Sequence, residues 1–116
     1  METSDFQPFD VVSVPFPFTD KAQTKKRPAL VLSQVDFGLQ SGHSVLAMIT
    51  SAKNSSWPLD VSISDLTAAG LPSPSIVRMK LFTLDHRFIL KTLGTLNKKD
   101  RKQVTLALEK LLPPTP

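Results

Sequence analysis

The sequence predicts a mainly β domain, a small antiparallel sheet or barrel followed by one C-terminal helix. Its segments rich in Val, Ile and Leu are short, and Pro, Gly, Ser or Asp residues bound them. The intervals between these segments are also short and contain no long amphipathic helix, which argues against repeated βαβ units. The length of 116 residues suits one domain with a core and is too short for two.

The candidate strands share this apolar, β-branched composition. In chain order they are Asp10–Val14, Ala29–Ser33, Ser44–Thr50, Leu59–Ile63, Ser75–Leu81 and Phe88–Leu96.

Helix signals occur in two places. Ser64–Ala69 begins with a serine cap and ends before Gly70, which predicts one or two turns. The stronger signal begins at the N-cap residue Asn97, has Asp100 in its first turn and ends at Pro113-Pro114. We expect its apolar positions to pack against the sheet and its basic positions to face solvent. The apolar positions are Val104, Ala107, Leu108 and Leu111, and the basic positions are Lys98, Lys99, Arg101 and Lys102.

The composition excludes several kinds of chemistry. The chain has no cysteine, so it has no disulfide and no thiolate nucleophile. His43 and His86 lie far apart and have no acidic cluster nearby, so we expect no metal and no cofactor. The first ten residues show no basic-then-apolar signal, and no apolar run approaches the length of a membrane span. We therefore expect a cytoplasmic protein without a membrane partner.

The charge of the chain favours polyanionic partners. Fourteen basic and ten acidic side chains give a net charge of +4 and a pI near 9.6. A mildly basic solvated surface explains the same charge. Only the positions of the cations can therefore distinguish a polyanion-binding site from an ordinary surface.

Three polar features stand at the edges of apolar segments. Arg27 ends the cationic run Lys25-Lys26-Arg27 before Pro28, Thr50 and Ser51 follow the apolar run 45–49, and Arg78 interrupts the run 75–79. A guanidinium binds two phosphate oxygens at once, and a buried one is costly unless it is paired or faces a pocket. These groups therefore suit a phosphate site. The structural alternatives stay open: a loop cation, a turn cap and an outward-facing strand residue.

Two further side chains can be interpreted in more than one way. Trp57, next to Pro58, either stacks on a nucleobase or anchors its loop to the core. His86 lies in the turn sequence TLDHRF, and we interpret it as an exposed turn residue and not as a general base.

Several short motifs follow one another along the chain in a characteristic order and spacing. They are the segments DVVSVPFPFTD (10–20), KRPALVLS (26–33), ITS (49–51), AGL (69–71), SIVR (75–78), KLFTLD (80–85) and LGTL (93–96). By these motifs the chain resembles, from Asp10 to Leu112, the MazF/PemK (Kid) toxins of bacterial type II toxin–antitoxin systems, particularly the PemK-like branch.

The resemblance implies a single toxin domain over residues 1–116, with 1–8 and 113–116 as flexible tails. It implies an SH3-like β-barrel that works as a homodimer and is inhibited by a cognate antitoxin protein. It also implies a metal-independent, sequence-selective endoribonuclease that cuts single-stranded RNA. In that family the ribose 2′-OH attacks the adjacent phosphorus and leaves a 2′,3′-cyclic phosphate and a 5′-OH.

The resemblance also assigns roles to residues of this chain. Arg27 matches the arginine that acts on the scissile phosphate, Thr50 the threonine that hydrogen-bonds it, and Arg78 a second arginine that some members use as catalytic acid. The loop Pro15–Lys26 is expected to flank the RNA groove. The residues expected to bind substrate are Phe16, Lys25, Lys26, Ser51, Trp57 and Lys80.

The chain departs from the family pattern at two positions. Some relatives have a carboxylate two positions after the second arginine, where this chain has Lys80, so the resemblance does not identify the general base. Phe9 stands where many relatives have glycine, and we interpret this change as structural. Two alternatives follow. One is a non-enzymatic toxin that binds DNA gyrase, as the CcdB toxins of the same fold do, and the other is a degenerate relative that binds RNA without cutting it.

Overall fold

The computed structural model describes residues 5–16 and 25–114. These residues form six strands: β1 (Asp10–Phe16), β2 (Lys25–Val31), β3 (His43–Ser51), β4 (Val61–Ser62), β5 (Ser75–Asp85) and β6 (Lys91–Thr95). They also form three α-helices, α1 (Val35–Ser41), α2 (Leu66–Ala69) and α3 (Lys98–Leu111), and one 3₁₀ turn at His86–Phe88. The predicted mainly β fold with a C-terminal helix is confirmed.

The strands make one antiparallel sheet in the order β4-β5-β3-β2-β1-β6, which curls as a half-barrel. Strands β1, β2 and β3 are neighbours in the sheet as they are in the sequence. Bulges interrupt β1 between Val11 and Val12 and β3 between Ala47 and Met48. A bulge bends its strand and increases the twist, which suits a strongly curled sheet.

Apolar side chains cover both faces of the sheet. On β1, Val11 belongs to the larger cluster with Leu30, Val77 and Val104, whereas the next residue, Val12, belongs to the second cluster. This alternation follows from the two-residue period of a strand. Full burial of each such valine or leucine contributes roughly 1.5–3 kcal/mol, so the sheet is stabilised from both sides.

The C-terminal helix begins as predicted. The Asn97 side chain accepts a hydrogen bond of 2.8 Å from the backbone N–H of Asp100. Val104 and Ala107 are buried, but Leu111 is 39% exposed, so the apolar stripe ends before the last turn.

The other helical elements differ from the prediction. Helix α1 was not predicted; it ends at Gly42, whose φ of 73° suits a glycine. Helix α2 ends at Gly70 as expected, but its N-cap is Asp65 and not Ser64. The predicted strand 88–96 begins only at Lys91, because His86–Phe88 form the 3₁₀ turn.

Candidate active site

The register of the sheet brings Arg27 and Thr50 to the same place. Strands β2 and β3 pair antiparallel with Ala29 opposite Met48, and this register continued by two residues sets Arg27 across from Thr50. Both residues line one cleft of about 430 Å³. The guanidinium and the hydroxyl therefore share a cavity although 22 residues separate them in sequence.

The cleft combines a partly apolar lining with hydroxyl and amide groups. Its lining residues are Phe16, Arg27, Pro28, Met48, Ile49, Thr50, Ser51, Asn54, Leu71, Pro72, Ser73 and Ser75. Of the site residues that the sequence predicts, Arg27, Thr50, Phe16 and Ser51 are in this set. Asn54 is a site residue that the sequence analysis did not name.

Arg27 has the exposure and charge that an anion site needs. Its side chain is exposed near the start of β2, and within residues 5–16 and 25–114 it makes no ion pair with a carboxylate. Charge-assisted contacts from a guanidinium to a phosphate are among the stronger hydrogen bonds. An anionic group in the cleft would therefore meet a cation that no described carboxylate neutralises.

The hydroxyl groups of Thr50 and Ser51 have different surroundings. The side-chain amide of Asn54 donates a hydrogen bond of 2.6 Å to Thr50 Oγ1. Ser51 Oγ accepts a hydrogen bond of 3.2 Å from the backbone N–H of Lys53, in the turn that follows β3. Both residues line the cleft, but the Ser51 hydroxyl is bonded to the backbone of the turn and the Thr50 hydroxyl to a side chain.

Arg78 lies outside this cleft and is already paired. Its Nη2 and Nε atoms donate to the two carboxylate oxygens of Asp60 over 2.9 and 3.2 Å, and Nη2 also donates to the Ser55 carbonyl. Only 11% of its side chain is exposed. The pairing explains how a cation is accommodated between the buried apolar residues Val77 and Met79.

The pairing of Asp60 with Arg78 shifts the pKa values of both side chains. The hydrogen bond from Arg78 lowers the pKa of Asp60, and the same bond raises the pKa of Arg78 above its ordinary value. Arg78 therefore holds its proton more firmly than an unpaired arginine.

Trp57 and Lys80 form a second surface feature beside this pair. The Lys80 ammonium lies 4.4 Å from the centre of the Trp57 ring, and the Arg78 guanidinium lies 6.0 Å from it. These distances are in the range of cation–π interactions. The ring remains 43% exposed, so Trp57 is not buried as a core anchor.

Lys25 and Lys26 lie at the start of β2, opposite Phe16 and Pro15 of β1. Both lysines are exposed, and neither lines the cleft of Arg27 and Thr50. Of the loop that the sequence analysis expects to flank a groove, residues 17–24 lie outside the described part of the chain.

His86 is less exposed than its turn sequence suggests. Its Nε2 lies 2.8 Å from the hydroxyl of the buried Ser44, and its ring packs edge-on against Phe6. His86 does lie in a turn, as interpreted, but its side chain is half-buried and not exposed. Residues 5–16 and 25–114 contain no group of three or more His, Asp or Glu side chains with the geometry of a metal site.

Comparison with solved structures shows what this fold resembles. An endoribonuclease in complex with its cognate antitoxin, from a mycobacterial species, is 16% identical, with a TM-score of 0.73 over 98% of this chain and 100% of the other. A MazE–MazF complex from Deinococcus radiodurans is 22% identical, with a TM-score of 0.75 over 93% and 96% of the two chains. The toxin MazF-mt6 of Mycobacterium tuberculosis is 19% identical, with a TM-score of 0.68 over 90% and 94%.

These likenesses define the fold as that of MazF-type toxins. The sequence also identifies the family, because the profile of the PemK-like, MazF-like toxins of type II toxin–antitoxin systems matches residues 7–112. The chain belongs to this family. No curated protein sequence matches it significantly. In the part of the chain that the structure describes, no helix is long and apolar enough to cross a membrane.

Proposed function

We propose that this chain is an endoribonuclease toxin that cleaves single-stranded RNA through a phosphate site formed by Arg27 and Thr50. One observation carries the proposal: an arginine without a carboxylate partner in the described residues and a threonine hydroxyl line the same cleft. Membership of the family of type II toxins supports the same activity.

In the proposed reaction the ribose 2′-oxygen attacks the adjacent phosphorus, and the bond from phosphorus to the 5′-oxygen breaks. The 2′-OH loses a proton, the departing 5′-oxygen gains one, and the products are a 2′,3′-cyclic phosphate and a 5′-OH. Negative charge builds up on the non-bridging oxygens as the 2′-oxygen adds. Arg27 stabilises this charge with its cation, and Thr50 donates a hydrogen bond to it.

Arg78 supports this chemistry from outside the cleft. Since its pKa is raised by Asp60, it is a weaker acid than an unpaired arginine. Its bonds to Asp60 and to the Ser55 carbonyl instead tie down the segment between β3 and β4. In the sequence of that segment, Asn54 directly precedes Ser55 and Trp57 follows it by two residues.

Trp57 and Lys80 are proposed to bind the substrate next to the cut site. An exposed indole offers a stacking surface to any base, and the neighbouring ammonium attracts the phosphate backbone. Lys25 and Lys26, also exposed, are proposed to attract the same backbone.

We further propose a homodimer that a cognate antitoxin inhibits. Two of the solved structures that share the fold are complexes of a toxin with its antitoxin. The proposed antitoxin would cover the cleft of Arg27 and Thr50 or prevent RNA from entering it.

End-group analysis of a cut RNA tests the proposal. Purified protein is incubated with single-stranded RNA in the presence of EDTA, and we expect fragments that end in 2′,3′-cyclic phosphate and begin with 5′-OH. A substrate with a 2′-deoxyribose at the cut site removes the nucleophile and should stay intact. RNA binding without any cyclic-phosphate product would instead indicate a degenerate relative, and inhibition of DNA gyrase in a parallel assay would indicate a CcdB-like toxin.

A further inference from the structure

The Thr50 hydroxyl has a hydrogen-bonding arrangement with a chemical consequence. A hydroxyl carries one proton and two acceptor lone pairs. Asn54 Nδ2 lies 2.6 Å from Thr50 Oγ1 and donates to it, so one lone pair is occupied. The Thr50 proton is then directed away from Asn54. Within residues 5–16 and 25–114 no other group hydrogen-bonds to this hydroxyl.

We propose that Asn54 is a positioning residue that aims the Thr50 proton at the phosphate in the cleft. The proposal rests on the proposed function, because it concerns the hydroxyl that is assigned there to a phosphate oxygen. Asn54 itself lines the cleft beside Thr50, so its amide is placed between the turn and the substrate site. It acts through Thr50 and needs no contact with the reacting atoms.

The turn that carries Asn54 is fixed by its backbone. The Asn54 N–H donates to the Ser51 carbonyl over 3.1 Å, and the Ala52 N–H donates to the Pro74 carbonyl over 3.0 Å. The second bond ties the turn to Pro74, which directly follows the cleft-lining segment Leu71–Ser73. This fixed backbone and the bond from Asn54 Nδ2 to Thr50 Oγ1 together place the Asn54 amide before a substrate arrives. A preorganised donor costs little reorganisation during the reaction.

The side chain of Asn54 is separate from these backbone bonds. Its described hydrogen bond goes to the Thr50 hydroxyl and not to the turn. A residue that only formed the turn would use its side chain to cap a nearby backbone group, as Ser51 does for Lys53. Removal of the Asn54 amide therefore leaves the backbone bonds of the turn in place and releases the Thr50 hydroxyl to rotate.

A double-mutant cycle between Asn54 and Thr50 tests the proposal. We compare wild type, Asn54→Ala, Thr50→Val and the double variant, with Ser56→Ala as a control in the same exposed segment. Cleavage is measured at saturating and at limiting RNA. We expect Asn54→Ala to lower kcat roughly threefold to tenfold with little change in KM, as for one hydrogen bond that strengthens in the transition state. In the Thr50→Val background the same change should have no further effect.

A sulfur substitution in the RNA provides a measurement that would not change if Asn54 only stabilised the fold. Replacement of one non-bridging phosphate oxygen by sulfur weakens a hydrogen bond to that position. If wild type is slowed more by one of the two phosphorothioate diastereomers, Asn54→Ala and Thr50→Val should both reduce that difference. Asn54→Ser, which keeps a small polar residue in the turn, should behave as Asn54→Ala does, and thermal unfolding checks that each variant is folded.

The outcomes separate the two proposals. If wild-type protein produces no cyclic phosphate, the proposed function fails and the role of Asn54 fails with it. If wild type cuts and Thr50→Val is impaired, but Asn54→Ala cuts at the wild-type rate, only the role of Asn54 is overturned. The same holds if Asn54→Ala slows cleavage equally with and without the Thr50 hydroxyl.

Discussion

The carboxylate of Asp60 holds the Arg78 guanidinium at two points, with Nη2 and Nε 2.9 and 3.2 Å from its two oxygens. The partners are 18 residues apart, and the bond joins the segment before β4 to the middle of β5. Both side chains are largely shielded, with 11% and 15% exposed. The pair is therefore a structural tie between the site loop and the sheet, and its removal leaves one enclosed charge without its partner.

Replacement of Asp60 by Asn should reduce the acid sensitivity of the fold. Arg78 lowers the pKa of Asp60 below its ordinary value of 3.8, so the unfolded chain takes up this proton at a higher pH than the folded one. The stabilisation is complete above the unfolded pKa and is lost as pH falls through the folded pKa. Urea unfolding from about pH 5 downwards should therefore show a shallower loss of stability in Asp60→Asn than in wild type.

The reciprocal variant tests whether the pair is the cause. Arg78→Gln removes the group that lowers the pKa of Asp60, so it should flatten the same acid limb and should be less stable than wild type at neutral pH. A wild-type slope in Asp60→Asn would show that other carboxylates dominate acid unfolding.

Arg27→Lys should retain the charge of the site but lose its geometry. An ammonium cannot bind two phosphate oxygens with a planar fork, so we expect cleavage to fall by about 10²–10³-fold, and further in Arg27→Ala. Because Arg27 is exposed, the thermal midpoint should not change. Lys98→Ala is the matched control, since it removes the same charge from the exposed start of α3, outside the cleft. Equal activity of Arg27→Ala and Lys98→Ala would refute the site.

Trp57→Ala should weaken RNA binding more than it slows the chemical step. Stacking of one base on an aromatic ring contributes roughly 1–3 kcal/mol, and Trp57→Phe should retain part of it. Binding of an oligonucleotide that carries 2′-deoxyribose at the cut site measures this without cleavage. Phe88→Ala is a matched control, because Phe88 is also an exposed ring beside a cation, here the Arg87 guanidinium. The stacking proposal is wrong if the two alanine variants bind equally.

Local patterns predicted some features of this fold well and others not at all. Asn97 was recognised as an N-cap because its signal lies within four residues of chain. Helix α1 is not predicted because it has only seven residues, and its apolar residues Val35, Phe37 and Leu39 alternate along the chain, which is a strand pattern. The predicted strand Leu59–Ile63 is present only as the two-residue β4, because a local alternation pattern does not set the ends of a strand.

The candidate site shows the same division between local and long-range information. Arg27 and Thr50 stood out because each follows or precedes an apolar run. They line one cleft because of the register in which β2 and β3 pair, and no local sequence pattern specifies that register. The carboxylate that pairs with Arg78 was not found, because Asp60 is remote in sequence and carries no local mark. Asn54 was missed for a similar reason, since its relation to Thr50 is made by a turn.

Asp100→Ala should destabilise the fold more than the loss of a carboxylate from the first turn of an exposed helix usually does. Asp100 lies in the first turn of α3, where a carboxylate is favourable on an exposed helix as well. Here the residue is 1% exposed, and its carboxylate accepts bonds of 2.9 and 2.8 Å from the backbone N–H and the hydroxyl of Ser64. Its removal leaves enclosed donors unsatisfied, and we expect a loss of roughly 2–4 kcal/mol in the free energy of unfolding. Ser64→Ala, which removes only one of these donors, should cost about 0.5–1.5 kcal/mol. A similar cost for both variants would show that the backbone bond to Asp100 contributes nothing.

Gly94→Ala should be far more harmful than Gly42→Ala, although only Gly42 has a positive φ. A Cβ on Gly94 would overlap the Ala68 carbonyl oxygen and lie 2.6 Å from the carbonyl carbon of Ala69, so β6 could no longer pack against the backbone of α2. Gly42 has a φ of 73° but open space around it, so alanine there costs about 1–2 kcal/mol in backbone strain.

The consequence of the Gly94 change should reach the cleft. Helix α2 leads through Gly70 into Leu71–Ser73, which line the same cleft as Arg27. Displacement of α2 should therefore lower both the urea midpoint and the rate of RNA cleavage in Gly94→Ala, whereas Gly42→Ala should retain the wild-type cleavage rate at temperatures where it is folded. Equal urea midpoints for the two variants would show that β6 and α2 move apart easily and that their close approach does not position the cleft.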